Sequence, residues 1–134
     1  EQNLLAVLKA VKHANADQGA DLNAAELPSA VSVYVCLEPT DMRCSFDKLA
    51  SLVQSIVCQN PLSGNLFVFV SKRRNMIKIL FWDRTGYCQY FKRLENGTFS
   101  FPVSTADGPR SMTISFDTLR LLLDGIDILG VKRM

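Results

Sequence analysis

The chain has 134 residues, of which 48% are hydrophobic and 21% charged, and its formal net charge is +2. A domain of this length buries enough surface to fold without disulfides or metals, and the composition argues against a disordered chain. No apolar run approaches the roughly 18 residues that a transmembrane helix needs. We therefore expect a globular protein in the cytoplasm that makes no use of a membrane.

The first predicted element is an N-terminal helix. Residues 3–15 place three leucines and a valine at helical spacing, which predicts an amphipathic helix of about three turns. The stretch that follows is rich in small and polar residues and is typical of a linker. We divide the chain into this helix and linker, residues 1–26, and one domain, residues 27–134.

A strand and a helix come next. The run VSVYVC from Val31 predicts a β-strand. Between Phe46 and Val57, apolar residues recur at steps of three and four, which predicts the best-supported helix of the chain. Ser45 is the expected N-cap, and Asp47 lies in the first turn, where the helix dipole favours an anion.

The stretch PTDMRC, residues 39–44, joins this strand to this helix. Pro39 is expected to turn the chain, and Asp41 to cap the turn or pair with Arg43. Met42 is expected to pack near the start of the helix. A structural role is thus predicted for the stretch, with a nucleic-acid contact by Arg43 as a second hypothesis.

From Leu66 onward the hydrophobic period changes from 3.6 to 2. The segments LFVFVS, MIKILFWD, YCQYFKRL and TFSFP are separated by the turn signals KRRN, RTG and ENG. Such short connections force neighbouring strands to run antiparallel. A last helix is predicted from Phe116 to Leu123, after Ser115 and before Gly125. The predicted fold is α+β: an antiparallel meander sheet of about five strands, including the one near Val31, packed against two to three helices.

Positive charge is concentrated in this meander. Residues 72–93 contain seven bases and one acid, whereas the rest of the chain carries more acids than bases. If RTG is a three-residue loop with Gly86 in the left-handed conformation, Asp83 pairs with Tyr87 and Lys78 faces Lys92. Such a pair of like charges costs stability unless an anion or an acid from elsewhere in the fold neutralises it, and a phosphate backbone would do so.

The predicted sheet brings most of these bases to one end. The candidate nucleic-acid-binding residues are Arg43, Lys72, Arg73, Arg74, Lys78, Lys92 and Arg93. The alternative is that the bases are solvated loop and strand-edge charges. The aromatic residues Phe67, Phe69, Trp82 and Tyr90 are interpreted as core beneath the first or the last helix rather than as a stacking platform for bases.

The sequence offers little for catalysis. His13 is the single histidine, and no nucleophile or acid is spaced to work with it. The four cysteines form no C-x-x-C pair, so a zinc or redox site is not indicated, and buried reduced thiols are expected. We expect a protein that is not an enzyme, with no catalytic residues, metal or cofactor. A metal-dependent hydrolase, which would need converging carboxylates, is a minor alternative.

Five motifs in order resemble a known family: PTDMR, PLSG, LFVF, KIL-x-WD and KRLE-x-G-x-F-x-x-P. From about Leu27 to Ile128 the chain is similar to the accessory protein that the second open reading frame of bacterial insertion sequences of the sixty-six family encodes beside the transposase. Relatives commonly continue DMR with a basic residue and then glycine or serine, where this chain has Cys44 and Ser45.

The resemblance implies a non-enzymatic accessory protein of DNA transposition, acting with a separate transposase. Its expected partners are that transposase and element DNA or RNA, contacted through the basic end of the sheet. The alternative is an adaptor that docks on the transposase without binding DNA itself. The sequence does not indicate an oligomeric state.

Overall fold

A computed structural model describes residues 31–102 and 105–126. The predicted helix over residues 3–15 and its linker lie outside this part, so the proposed domain boundary stays a prediction. The elements, in chain order, are β1 (Val33–Cys36), α1 (Phe46–Leu52) continued by a π-helical turn (Val53–Val57), β2 (Leu66–Val70), β3 (Met76–Trp82), β4 (Tyr87–Arg93), β5 (Ser111–Ile114) and α2 (Phe116–Leu123).

The five strands form one mixed sheet in the order β4-β3-β2-β1-β5. β1 and β2 are parallel, and the other three neighbouring pairs are antiparallel. The predicted α+β class with a mostly antiparallel sheet is confirmed. The sheet differs from a simple meander because α1 carries the chain from β1 back to the start of its parallel neighbour β2, as parallel pairing requires.

One predicted strand is absent and another was missed. TFSFP, residues 98–102, pairs with no strand among the described residues. Phe99 and Phe101 are instead buried in the core, and the Phe99 N–H donates to the Arg74 carbonyl at 2.7 Å. The fifth strand is β5, which the sequence pattern did not predict. It has only four residues, and it pairs with β1.

The sheet is covered on both sides. On the side that we call the α1 face, Phe67, Phe69 and Leu80 pack against Leu49 and Val53, and all five are fully buried. On the opposite side, the α2 face, the alternate strand residues pack against three buried leucines of α2 and the phenylalanines of residues 98–102. The prediction that Phe67 and Phe69 are core is therefore confirmed, as it is for Tyr90, while Trp82 is half-buried. The helix that covers Phe67 and Phe69 is α1, not the N-terminal or the last helix, so that part of the prediction is wrong.

The helix boundaries follow their capping residues. Ser115 precedes α2, and its hydroxyl accepts the Thr118 N–H at 3.0 Å. Gly125 follows α2 with φ +77, a left-handed conformation that glycine adopts without strain. Ser45 is the N-cap of α1, but only its backbone carbonyl bonds, accepting the Leu49 N–H. The two helices predicted within the described residues are thus confirmed, apart from the π-helical winding at the end of α1.

The predicted register between β3 and β4 is wrong by one residue. Trp82 pairs with Tyr87, and Lys78 faces Phe91 rather than Lys92. The turn has two central residues, Arg84 and Thr85, closed by a bond from Asp83 N–H to the Gly86 carbonyl at 3.0 Å. Arg84, with φ +90, holds the left-handed position that was assigned to Gly86. A one-residue shift moves every β4 side chain to the other face of the sheet.

Candidate nucleic-acid interface

The topology places several loops at one end of the sheet. The C-terminal ends of β1, β2 and β4 meet there with the N-terminal ends of β3 and β5. We call this end the basic rim, and it consists of residues 37–44, 71–75, 93–95 and 110. A bond from the Thr40 N–H to the Val70 carbonyl, 2.9 Å long, holds the first of these loops against the end of β2.

The β2–β3 hairpin carries three consecutive bases at the rim. Lys72 and Arg73 are exposed, and neither side chain has a hydrogen-bond or ion-pair partner within the described residues. Ser71 shapes the turn: its carbonyl accepts the Arg74 N–H at 2.9 Å, and its hydroxyl accepts the Met76 N–H at 3.1 Å. The hairpin therefore presents two uncompensated positive charges on a well-bonded support.

Arg74 lies in an unusual conformation in the same hairpin. Its φ is +62, a region that a non-glycine residue occupies infrequently. Its guanidinium lies over the ring of Phe101, 5.2 Å from the centroid. The ring stabilises the cation and fixes its direction. Arg74 is therefore partly buried, and its guanidinium lies at the rim.

Arg43 and Arg93 each pair with a carboxylate two residues away in sequence. Arg43 bonds Asp41 at 2.7 Å, with 91% of its side chain exposed. Arg93 bonds Glu95 at 3.1 Å. Pairs this exposed contribute little to stability. A further rim pair joins Arg110 to Glu38, beside the paired ends of β1 and β5. The sequence did not predict this pair because the two residues are 72 positions apart.

Asp41 both caps the turn and pairs with Arg43. Its Oδ1 accepts the Arg43 backbone N–H at 2.8 Å and the guanidinium at 3.0 Å. These bonds, the guanidinium first, lower the pKa of Asp41 to about 2. Met42 packs against the α1-face core. The expected structural role of PTDMRC is confirmed.

The depressed pKa of Asp41 gives a testable pH dependence. A carboxylate with a lowered folded-state pKa contributes its stabilisation above its ordinary pKa of about 4, and that contribution is lost as the pH falls through about 2. In Arg43→Ala, we expect NMR titration to move the Asp41 midpoint up toward its ordinary value. Arg93→Ala, which removes the other exposed pair, serves as the control. An Asp41 midpoint that stays near 2 in Arg43→Ala would contradict the assignment.

Lys78 points into the fold rather than to solvent. Only 6% of it is exposed. Its Nζ donates to the Cys44 carbonyl at 2.9 Å and lies 5.1 Å from the centroid of the Phe91 ring. Lys78 thus holds the end of the PTDMRC stretch where α1 begins.

Lys92 lies on the other face. Its Nζ donates to the carbonyl of Leu123, the last residue of α2, at 2.8 Å, and a cation is favourable at the C-terminal end of a helix. The prediction that Lys78 faces Lys92 is therefore wrong. The observed register places the two lysines on opposite faces of the sheet, and each amine donates to a backbone carbonyl. No neutralising anion is needed.

Chemistry other than charge is sparse in this region. No group of three or more His, Cys, Asp or Glu residues in the described ranges could hold a metal ion.

All four cysteines are free, but Cys58 is exposed, so the expectation of buried thiols is wrong there. Burial and a bond to the Asp83 carboxylate raise the pKa of Cys88 to about 11. No helix within residues 31–102 and 105–126 has the length and apolar character to cross a membrane.

Comparison with known proteins gives a consistent result. A family model described as IS66 Orf2 like protein matches residues 31–133. The uncharacterized protein y4hO of Sinorhizobium fredii (strain NBRC 101917 / NGR234) is 43% identical over 103 residues, which cover 75% of this chain and 87% of that protein. The uncharacterized protein y4jC of the same strain is 35% identical over 101 residues, with 75% and 84% covered. No solved structure matches the chain.

Proposed function

The chain belongs to the family of IS66 Orf2-like proteins, and from this premise we propose how it serves as an accessory protein of transposition. The protein binds element DNA through its basic rim and acts in the bacterial cytoplasm beside a separate transposase, which carries out the chemistry. The family is not known for an enzymatic activity, and the resemblance of the motifs pointed to the same accessory role.

The observation that carries this proposal is the β2–β3 hairpin. Lys72 and Arg73 are exposed and have no partner within the described part of the chain. Arg74 follows them, directed by the ring of Phe101. Phosphate contacts from lysine and arginine supply most of the sequence-independent affinity of proteins for DNA. Three consecutive bases on a rigid turn suit a short segment of phosphate backbone.

Two further arginines flank this hairpin at the rim. Arg43 and Arg93 are paired only with exposed carboxylates, at 2.7 and 3.1 Å. Because exposed pairs of this kind are weak, a phosphate oxygen is able to replace the carboxylate. The proposed contacts are therefore Lys72, Arg73 and Arg74, supported by Arg43 and Arg93, while Lys78 and Lys92 stabilise the fold on which these residues are carried.

The proposal predicts a salt dependence. Three to five neutralised phosphates give a slope of log affinity against log salt between about −2.7 and −4.5. Replacing Lys72 and Arg73 by alanine removes two contacts, so we expect the slope to flatten by about 2 and the affinity at low salt to fall by about 10-fold or more. Fluorescence anisotropy with a labelled DNA duplex, across a salt series, measures both quantities.

Arg120 provides a control for this experiment. It is exposed on α2 and paired with Asp117 at 3.3 Å, and it is not one of the rim residues. Arg120→Ala is expected to leave the salt slope unchanged. A Lys72→Ala, Arg73→Ala protein that binds duplex DNA as tightly as the wild type would exclude the hairpin as the contact. Duplex RNA, measured in parallel, decides which nucleic acid is preferred.

A second candidate function is that of an adaptor docking on the transposase without DNA binding. The aromatic residues Phe67 and Phe69 are buried and offer no surface for such a contact. Leu121 on α2 and Ile126 just beyond it are 41% and 45% exposed, and such apolar residues favour a protein contact. Capture of the transposase after nuclease treatment, lost in Leu121→Asp and kept in Lys72→Ala, Arg73→Ala, would favour the adaptor.

A further inference from the structure

A shallow pocket, which we call the rim pocket, opens where β3 begins and β4 ends. Its volume is about 360 Å³, and it is lined by Met76, Phe91, Arg93 and Glu95. Met76 pairs with Arg93, and Phe91 pairs with Lys78. Because paired strand residues share a face of the sheet, the strand residues of the pocket all lie on the α1 face. Ligand sites commonly have volumes of about 300–1,000 Å³, so this pocket suits a small group.

Phe91 gives the rim pocket an exposed aromatic ring. It is 52% exposed, whereas Phe67 and Phe69 on the same face are fully buried. The amine of Lys78 lies over the ring, 5.1 Å from its centroid. Since Lys78 is itself buried, this cation approaches the ring from inside the fold and leaves the outward surface of the ring open. The observed register is what places Phe91 on this face, because a shift of one residue would turn it to the other.

Arg93 and Glu95 give the same pocket a polar side. The Nε and Nη2 of Arg93 both donate to Oε2 of Glu95, each at 3.1 Å. These two bonds do not use the other carboxylate oxygen, Oε1, which is able to accept from a ligand. The pocket thus combines an apolar surface, formed by Met76 and Phe91, with a charged donor and a charged acceptor at its side. A nucleobase has the matching form, with flat apolar faces and a polar edge.

The rim pocket is continuous with the exposed bases of the β2–β3 hairpin. Residues 71–75 lead directly into Met76 at the start of β3. The Leu94 N–H donates to the Asn75 carbonyl at 2.8 Å, which joins the hairpin to residues 93–95 on the other side of the pocket. A nucleic-acid strand whose phosphates contact the hairpin therefore has its bases within reach of the pocket.

We propose that the rim pocket binds one unpaired base of a DNA strand, stacked on Phe91, while the phosphates of that strand lie on the basic rim. This inference rests on the proposed function and names its substrate class, which is DNA that is single-stranded at the pocket. In a duplex, the neighbouring bases cover both faces of each base, so a protein ring stacks only on a base that has left the helix. Proteins that bind single strands combine basic residues for the backbone with aromatic residues for the bases.

A pair of matched ligands tests whether a base is bound. The first is a labelled DNA single strand of about 12 nucleotides, a length within the usual site sizes of single-strand binders. The second is a strand of the same length whose central nucleotides are abasic, so that it keeps the phosphates and lacks the bases. We expect fluorescence anisotropy to show that the complete strand binds about 5- to 150-fold more tightly, which is the usual effect of stacking one base. Equal affinities of the two strands would overturn the proposal.

Substitutions of Phe91 test where the base is bound. Phe91→Ala should bind the complete and the abasic strand equally, with an unchanged salt slope because no phosphate contact is lost. Phe91→Leu keeps an apolar side chain without a ring and should behave in the same way, whereas Phe91→Trp should keep the preference for the complete strand. Tyr87→Ala is the matched control, because Tyr87 is a half-buried aromatic residue on the same face at the other end of β4, and it should also keep the preference.

The same measurements separate a failure of the pocket from a failure of the proposed function. If Phe91→Ala and Phe91→Leu retain the full preference for the complete strand, the rim pocket is not a base site. The proposed function then still stands, provided that Lys72→Ala, Arg73→Ala weakens binding to both strands and flattens the salt slope. A protein that binds neither strand nor the duplex would overturn both.

Discussion

Phe69→Ala is expected to lower the free energy of unfolding by about 3–5 kcal/mol, the usual cost of removing a buried aromatic side chain. Phe69 lies on the interior strand β2 with 0% of its surface exposed, and it packs in the cluster that joins α1 to the sheet. A loss of this size is a large part of the total stability of a small domain. Urea unfolding followed by circular dichroism measures it.

Phe91→Ala is the matched control. Phe91 has the same side chain on the same face of the sheet, but it lies on the outer strand β4 and is 52% exposed. Phe91→Ala should lose about 1 kcal/mol or less, chiefly the contact with the Lys78 amine. A smaller loss in Phe69→Ala than in Phe91→Ala would mean that the α1 face is not core, and would reopen base stacking by Phe69.

The segments that could be predicted from the sequence are those in which one periodicity persists. α2 has the predicted bounds, Phe116–Leu123, because a serine cap and a following glycine delimit it. β2, β3 and β4 were found because alternation and turn signals agree. TFSFP has the same alternation, but its phenylalanines fill the α2-face core. The Phe99 N–H bonds the Arg74 carbonyl of the neighbouring hairpin, and the segment forms no strand ladder within the described residues.

The parallel pairing of β1 with β2 was not predicted, although the sequence held a signal for it. About thirty residues, including a helix, separate the starts of the two strands, and this is the length of a strand–helix–strand unit with parallel strands. The short connections after β2 and β3 led instead to the prediction of an antiparallel meander. β5 carried no comparable signal, because four residues hardly establish a period.

The position of the bases was predicted more accurately than their orientation. Both three-residue and two-residue turns suit DRTG, and the preference of glycine for positive φ favoured the wrong one. Arg84 adopts φ +90 in a register that gives Lys78 and Lys92 a backbone carbonyl each. These two bonds join residues that are far apart in the sequence, so the local sequence carries no signal for them. The exposure of Lys72 and Arg73 at a hairpin tip could be predicted without knowing the register of the strands.

Lys78→Ala is the second substitution with a large expected effect, a loss of about 2–3 kcal/mol in the free energy of unfolding. A hydrogen bond from a charged donor contributes about 1.5–3 kcal/mol, and the 2.9 Å bond to the Cys44 carbonyl is of this type. The alkyl stem, buried with the rest of the side chain, adds packing that alanine cannot replace. Chemical denaturation gives the loss, and the NMR signals of residues 40–44 should shift.

Lys78→Met separates the two contributions, because methionine keeps an apolar stem of similar length and lacks the amine. We expect its stability to lie between those of the wild type and Lys78→Ala. The salt slope of DNA binding then decides between a role in the fold and a role at the phosphate. A lysine that holds a carbonyl should leave the slope of the folded protein unchanged when replaced, whereas a phosphate contact would flatten it by about 0.9. A flattened slope with unchanged stability would return Lys78 to the set of DNA contacts and would require its side chain to leave the Cys44 carbonyl on binding.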